Sequence, residues 1–273
     1  GGDSQDTTFK VSEMAKKLKF PLKCVGIPKT VDNDLPYTDC SPGFGSVAKY
    51  IATSTLEAGL DVKSMAETST KVFILEVMGR HAGWIAAASC LAATKAGDPP
   101  HIILLPEVPF EKTKFITQVK QTVKEQGYCV IVASEGTQTK NGKFLADSGL
   151  TDAFGHKQLG GVAPVLAGMI SKIGLKNHWA VADYLQRSAR HIASKTDLDQ
   201  AYAVGEHAVK LAIAGKTALM PIIKRTSDSP YKWKIATAPL KNVANIEKTM
   251  PKKFISKNGF EITQAGKTYL SPL

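Results

Sequence analysis

The chain has 273 residues, 43% of them hydrophobic and 22% charged, ordinary proportions for a globular protein that buries a sizeable core in one large or two modest domains. No apolar run approaches the roughly 18 residues of a membrane span. The formal net charge is +11, and residues 205–273 carry most of it, with 12 Lys/Arg against 4 Asp/Glu, a net of +8.

A basic stretch of this kind meets phosphorylated ligands, anionic lipid or nucleic acid, or is a solvated face. Its lysines neither alternate with aromatics nor form a continuous basic helix, so no nucleic-acid partner is expected, and no membrane partner either. The opening Gly1-Gly2-Asp3-Ser4 lacks the basic start and apolar stretch of a secretory signal. It reads as the inside of a loop, and the chain is expected to begin partway through a larger protein. Cys24, Cys40, Cys90 and Cys129 are widely spaced, with no pattern for zinc or a disulfide framework. Cys24, Cys90 and Cys129 read as buried thiols, which fits a reducing cytoplasm.

In chain order, helical composition at residues 8–18 precedes a Val/Ile-bearing run at 22–27 that is expected to be a strand. A helix is expected at 44–60, a strand at 71–77, a helix at 83–96 and a strand at 101–105. A helix at 113–126 and a strand at 128–134 follow. Near-continuous apolar runs alternating with helices predict a doubly wound, parallel α/β sheet. Residues 136–160 are polar and glycine-bearing, with a turn at 140–143 and His156 in a loop at 152–156. Helices at 162–173 and 198–214 flank an expected strand at 178–184. From about residue 227 the pattern weakens, and Pro230, Pro239 and Pro251 punctuate a tail that sequence alone does not assign.

Ligands of such sheets bind beyond the carboxyl ends of the strands. Directly after the 22–27 run comes Pro28-Lys29-Thr30-Val31-Asp32-Asn33-Asp34. One carboxylate here suits taking a proton from an attacking hydroxyl and the other holding a metal. The Lys suits neutralising phosphate oxygens, and together they serve phosphoryl transfer. The same residues also make a polar turn. After the 71–77 strand comes Met78-Gly79-Arg80-His81-Ala82-Gly83, where glycines allow close approach and an Arg beside a helix start suits an anion. Gly1-Gly2-Asp3-Ser4 opens a helix, a possible phosphate cradle. Glu135 and Tyr184-Leu185-Gln186-Arg187 close two further strands. No His/Cys/Glu set has metal-ligand spacing.

Taken in order, Gly1-Gly2-Asp3-Ser4, Pro28 to Asp34, Met78-Gly79-Arg80, Pro106-Glu107, Glu135 and Gln186-Arg187 resemble the phosphofructokinase family, over residues 1 to about 225. The resemblance implies two doubly wound, Rossmann-like parallel-sheet lobes, with the N-terminal part of the fold missing from this chain. Residues 1–135 would hold the remainder of the phosphoryl-donor lobe and the start of the sugar-phosphate lobe. Residues 136–225 would continue the sugar-phosphate lobe, and 226–273 would form a basic C-terminal segment.

The implied activity is magnesium-dependent phosphoryl transfer to the 1-hydroxyl of fructose 6-phosphate, a cytoplasmic step of glycolysis. By resemblance Asp32 is the general base, with Thr30 and Asp34 around the transferred group and the metal. Met78, Gly79 and Arg80 contact the sugar phosphate, Glu135 binds sugar hydroxyls, and Tyr184 and Arg187 grip the 6-phosphate. Lys71 stands where the family often has a basic residue reaching into a neighbouring subunit's site, which implies a homodimer or homotetramer. His178 departs from an Arg the family often carries there.

The donor follows from two positions. Gly1, Gly2, Asp3 and Ser4 match the donor phosphate loop, with Asp3 where ATP-dependent members carry a small glycine. Lys29 likewise replaces a glycine. Both look like the pyrophosphate-dependent branch: a carboxylate repels the α-phosphate of ATP, and a Lys sits on pyrophosphate. Asp3 is also the loop's candidate magnesium ligand, although Gly2 stands where many members carry the metal-binding acid. The ATP-dependent enzyme and a non-catalytic regulatory subunit of the same fold are the alternatives.

Overall fold

The computed structural model describes residues 1–151, 157–159 and 161–273. In chain order the elements are α1 (Gly2–Lys17), α2 (Phe44–Met65), β1 (Val72–Val77), α3 (Trp84–Ala88), β2 (Ile102–Leu104), α4 (Lys112–Gln126) and β3 (Cys129–Ser134). They continue with β4 (Asp147–Thr151), β5 (Lys157–Leu159), α5 (Val162–Ser171), β6 (Asn177–Val181), α6 (Leu185–Ser188), α7 (Lys195–Ile213), β7 (Leu219–Asp228), β8 (Tyr231–Pro239) and α8 (Gln264–Leu270). The loop expected at 152–156 lies outside the described residues.

The chain folds as two compact units, each assembled from separated stretches: residues 1–47, 190–248 and 272–273, and residues 48–189 and 249–271. These do not follow the three contiguous segments expected from sequence. Texture along a chain reports local composition, whereas a unit is defined by which distant strands pair.

In the unit containing residues 48–189, β2, β3, β1 and β6 lie in that order, all parallel. All six residues of β3 are buried, the burial expected of a strand covered on both faces. Alternate residues point to opposite faces. Val72, Ile74, Cys129, Ile131 and Ala133 join Phe115 and Val119 of α4 and Val162, Leu166 and Ile170 of α5 in one core. Phe73, Tyr128 and Val130 pack with Val62 of α2 and with Ala66 just beyond it. Helices therefore cover both faces, which is the doubly wound arrangement expected. Truncating a buried side chain such as Phe115 to Ala costs about 3–5 kcal/mol.

In the other unit, β7 and β8 form an antiparallel hairpin. Met220, Ile222, Ala238, Leu240 and Val243 bury against Leu35, with Phe9 of α1 packed alongside. Asp197 of α7 accepts the main-chain N–H groups of Gly43 (2.8 Å) and Ser46 (3.1 Å), so a buried carboxylate satisfies the start of α2.

Several elements differ from expectation. The 22–27 run is no extended strand: it makes one parallel bridge, Val25 to Leu219, with Gly26 N–H on the Leu219 carbonyl at 2.9 Å. Helix 83–96 stops being α-helical after Ala88, tightens into a 3-10 turn over Ser89–Ala92 and ends before Gly97, Pro99 and Pro100. The strand at 178–184 ends at Val181, and Asp183 (φ 37°) turns the chain so that Tyr184 starts α6. The unassigned tail supplies β8, which pairs with β7 starting upstream at Leu219, and within the basic stretch Arg225 is largely enclosed rather than solvated, its side chain 13% exposed. All four cysteines are buried and free, and burial pushes the Cys40 and Cys90 thiols up to about 12.

Candidate functional site

Each unit carries one group of the expected site residues. In the unit containing residues 1–47, Gly2 begins α1, whose first N–H groups have no intrahelical partner. The nitrogen of Gly1 donates to the Lys29 carbonyl at 2.8 Å, and buried Gln5 donates through Nε2 to the Ile27 carbonyl at 2.9 Å. Gly26 permits this approach: a Cβ there would lie 2.0 Å from the Gln5 Oε1. The glycine pair, Asp3 and Ser4 are thereby held beside the segment that starts at Pro28. Asp3, in the first turn of α1, and the segment 29–34 are therefore brought together at this helix start.

Within that segment Thr30 Oγ1 accepts the Asp32 N–H at 3.2 Å. Asn33 is fully buried and left-handed (φ 54°), and its Oδ1 accepts the Ser41 N–H at 3.0 Å. Asn tolerates this conformation better than most residues, and it turns the chain between the two carboxylates. Burial raises the Asp34 carboxyl above its ordinary value. The negative charge of Glu247 adds to this, while hydrogen bonds from main chain and from Thr30 oppose it. The Asp34 Oδ1 is buried with no hydrogen-bond partner. An unsatisfied carboxylate oxygen among hard oxygen donors fits a magnesium ion, which takes one or two carboxylates and completes its shell with phosphate and water.

In the unit containing residues 48–189, the parallel register aligns the carboxyl ends of β1, β3 and β6. Met78, Gly79 and Arg80 follow β1, Glu135 follows β3, and Tyr184 and Arg187 follow β6. Gly79 has φ 123°, and a Cβ would lie 2.6 Å from the Ala82 carbonyl. Its carbonyl accepts the Ser134 hydroxyl, and its N–H donates to Glu135 Oε1 at 3.3 Å. Burial raises the Glu135 carboxyl. The charge of Arg80 opposes that shift and the charge of Asp183 reinforces it. Arg80 Nε is buried without a partner. Tyr184 and Arg187 stand one turn apart on the surface, the guanidinium 4.2 Å from the ring centre, a cation–π pair that steadies a mobile cation.

Lys71 does not join this group. It precedes β1, at the opposite end of the strand from Met78, and its Nζ donates to the Ala66 carbonyl at 2.5 Å. His178 is exposed on β6. Three residues with structural work around the group escaped sequence reasoning. Buried Gln186 accepts the Met78 N–H at 3.3 Å through Oε1 and donates to the Asp183 carbonyl at 2.8 Å. Buried Glu76 accepts the Ala163 N–H at 2.8 Å, at the start of α5. Glu107 accepts the N–H groups of Gly83 and Met250. Glu107 and Gln186 carried a signal, their places beside Pro106 and Arg187 in the resemblance; Glu76 carried none.

The phosphofructokinase family model matches residues 1–212. The chain belongs to the phosphofructokinase family. A pyrophosphate–fructose 6-phosphate 1-phosphotransferase of Halomonas elongata is 64% identical over 274 residues, and one of Methylococcus capsulatus is 59% identical over 274 residues. Both alignments take in all of this chain and 65% of the relative. The crystal structure of a pyrophosphate-dependent phosphofructokinase from Marinobacter aquaeolei superposes with a TM-score of 0.90 at 60% identity, again over all of this chain and 65% of the other. The chain thus spans about two thirds of the length of these members of the family. Among the described residues, no helix is long and apolar enough to cross a membrane.

Proposed function

We propose that this protein transfers a phosphoryl group reversibly from pyrophosphate to the 1-hydroxyl of fructose 6-phosphate, giving fructose 1,6-bisphosphate. The observation that carries the reading is the aspartate turn docked on the start of α1, through Lys29 and Ile27, with the buried Asp34 Oδ1 unsatisfied. Asp32 takes the proton of the attacking hydroxyl. Lys29 and the free N–H groups of α1 neutralise phosphate oxygens, and Thr30 steadies the turn that presents Asp32. Asp34, with Asp3, would hold magnesium, which when bound neutralises charge on the phosphoryl group. Asp3 in the first turn of α1 disfavours the additional α-phosphate of ATP by charge repulsion, and Lys29 compensates on the shorter donor.

Met78, Gly79, Arg80 and Glu135 bind the sugar phosphate, Glu135 by accepting from a hydroxyl, and Arg187 with Tyr184 binds the 6-phosphate. The protein works as a homodimer or homotetramer. Among the described residues β6 is a sheet edge, and Trp179 (47%), Val181 (41%), Tyr184 (63%) and Leu185 (65%) are exposed along and beyond it, an apolar edge of the kind subunits cover. Lys71 then serves a neighbouring copy rather than its own.

The test is a coupled assay of the full-length protein with each donor. Turnover with pyrophosphate is expected, abolished in Asp32→Asn while fructose 6-phosphate still binds. Turnover with ATP and none with pyrophosphate would overturn the donor, and unchanged turnover in Asp32→Asn would overturn the base.

A further inference from the structure

Lys248 lies in the basic stretch, far in sequence from the aspartate turn, yet it makes four hydrogen bonds to residues 33–39, two of them to the turn itself. Its Nζ donates to Asn33 Oδ1 (3.1 Å), to the Thr38 carbonyl (3.1 Å) and to the Asp39 carbonyl (3.0 Å). Its main-chain N–H donates to the Asp34 carbonyl at 2.6 Å. An ammonium has three hydrogens and no acceptor, so three oxygens match its capacity. Enclosure withdraws the ammonium from water and lowers its pKa to about 8, against the pull of the Asp39 and Asp34 carboxylates.

The segment Lys248 holds is itself anchored. The Asp39 N–H donates to the Ile223 carbonyl at 2.8 Å, and its carboxylate receives Arg225 Nε at 3.0 Å and the Tyr231 hydroxyl at 3.1 Å. One wall of the turn is therefore fixed to the β7–β8 hairpin, while Asn33 and Asp34 are tied down by Lys248. A left-handed Asn between two carboxylates needs such restraint, because the conformation is uncommon outside glycine and is kept only where surroundings determine it.

We propose that Lys248 is a positioning residue for phosphoryl transfer, holding the Asp32-Asn33-Asp34 turn in its working conformation. The proposal rests on the assignment of Asp32 as base in the preceding subsection. Lys248 touches no reacting atom; it acts through Asn33 and the Asp34 main chain. A small displacement of a base costs rate far more than affinity for a substrate held by other residues.

The experiment compares wild type, Asp32→Asn and Lys248→Met in the full-length protein, by steady-state kinetics and by amide hydrogen exchange. Lys248→Met keeps the stem and removes the donors. Its kcat is expected to fall about 10–100-fold with the KM for fructose 6-phosphate unchanged, and exchange is expected to quicken over residues 30–41. An unchanged kcat, or a KM that rises in proportion as kcat falls, overturns the proposal, as does unchanged exchange over 30–41. Should the Met variant fail to fold, Lys248→Arg takes its place: it keeps charge and donors but cannot aim at three separate oxygens, and a smaller fall in kcat at constant KM is expected, equal kcat being the overturning result. Failure of the base assignment looks different, because Asp32→Asn then keeps activity whatever Lys248→Met does.

Discussion

Glu135 accepts the main-chain N–H of Gly79 through Oε1 at 3.3 Å, so the residue after β3 fixes the residue after β1 while its own carboxyl is held above the ordinary 4.5 by burial. The folded chain binds that proton more tightly than the unfolded chain does. Ionised Glu135 therefore lowers stability at neutral pH, and the loss is recovered as pH falls through the folded value. On the proposed role of Glu135 substrate binding runs the other way, because accepting a sugar hydroxyl suits the carboxylate. The KM for fructose 6-phosphate is expected to rise on acidification, starting at a pH above 4.5. Glu135→Gln should flatten that rise and raise the neutral-pH KM by about 10–100-fold, the worth of a charged hydrogen bond. An equally steep profile in the variant would assign the titration to another group.

A second prediction concerns Gly136, where a Cβ would sit 1.9 Å from the Arg80 carbonyl oxygen and 2.7 Å from that of Gly79. Both neighbours are backbone, so no side chain can swing aside. Gly136→Ala should cost about 3 kcal/mol or more and raise the KM for fructose 6-phosphate by moving Arg80. Gly168→Ala in α5 is the control. It is exposed with nothing within 4 Å of a new Cβ and should gain about 0.5–1 kcal/mol. Urea midpoints measured on both variants decide it.

What the sequence disclosed follows from how local each signal is. The run 128–134 announces β3 because burial on both faces demands unbroken apolar residues. The residues beyond β1, β3 and β6 were legible for a related reason: their place after a strand is a sequence property. Residues 22–27 look as strand-like, but pairing is decided by partners, and here a short stretch at 217–219 answers with a single bridge, Val25 to Leu219. The hairpin was hidden because β7 carries Pro221 and turns wholly polar after Ile223, where exposure alternates but residue type does not. Lys248 was invisible in a Lys-rich tail, since nothing nearby in sequence separates an enclosed ammonium from a solvated one. The division into units was illegible for the same cause, as residues 190–248 rejoin residues 1–47 through contacts spanning most of the chain.

Gln186 supplies a third prediction. Its Oε1 is the acceptor for the Met78 N–H, and its Nε2 holds the Asp183 carbonyl. Gln186→Ala leaves a donor and an acceptor unsatisfied in a buried place, worth about 1–3 kcal/mol for each group. The expected result is a lower Tm together with a raised KM for fructose 6-phosphate at unchanged KM for pyrophosphate. A fall in Tm alone would make Gln186 a packing residue only.

On the proposed reading the donor preference rests on Lys29 and Asp3, so it should move with them. Lys29 adjoins the glycine pair through the 2.8 Å contact of its carbonyl with the Gly1 nitrogen, and Asp3 occupies the first turn of α1. Lys29→Gly removes a cation from the donor phosphates and should lower kcat/KM for pyrophosphate about 10–100-fold, as expected for a lost charged hydrogen bond. Asp3→Gly removes the repulsion that an α-phosphate would meet. Neither change alone makes an ATP enzyme, because one leaves the repulsion and the other leaves a cation set for the shorter donor. The double variant should show measurable turnover with ATP where wild type shows none, while the KM for fructose 6-phosphate stays put. Pyrophosphate kinetics unchanged in Lys29→Gly would remove that residue from the donor site, and an ATP rate still absent in the double variant would place donor selection elsewhere in the chain.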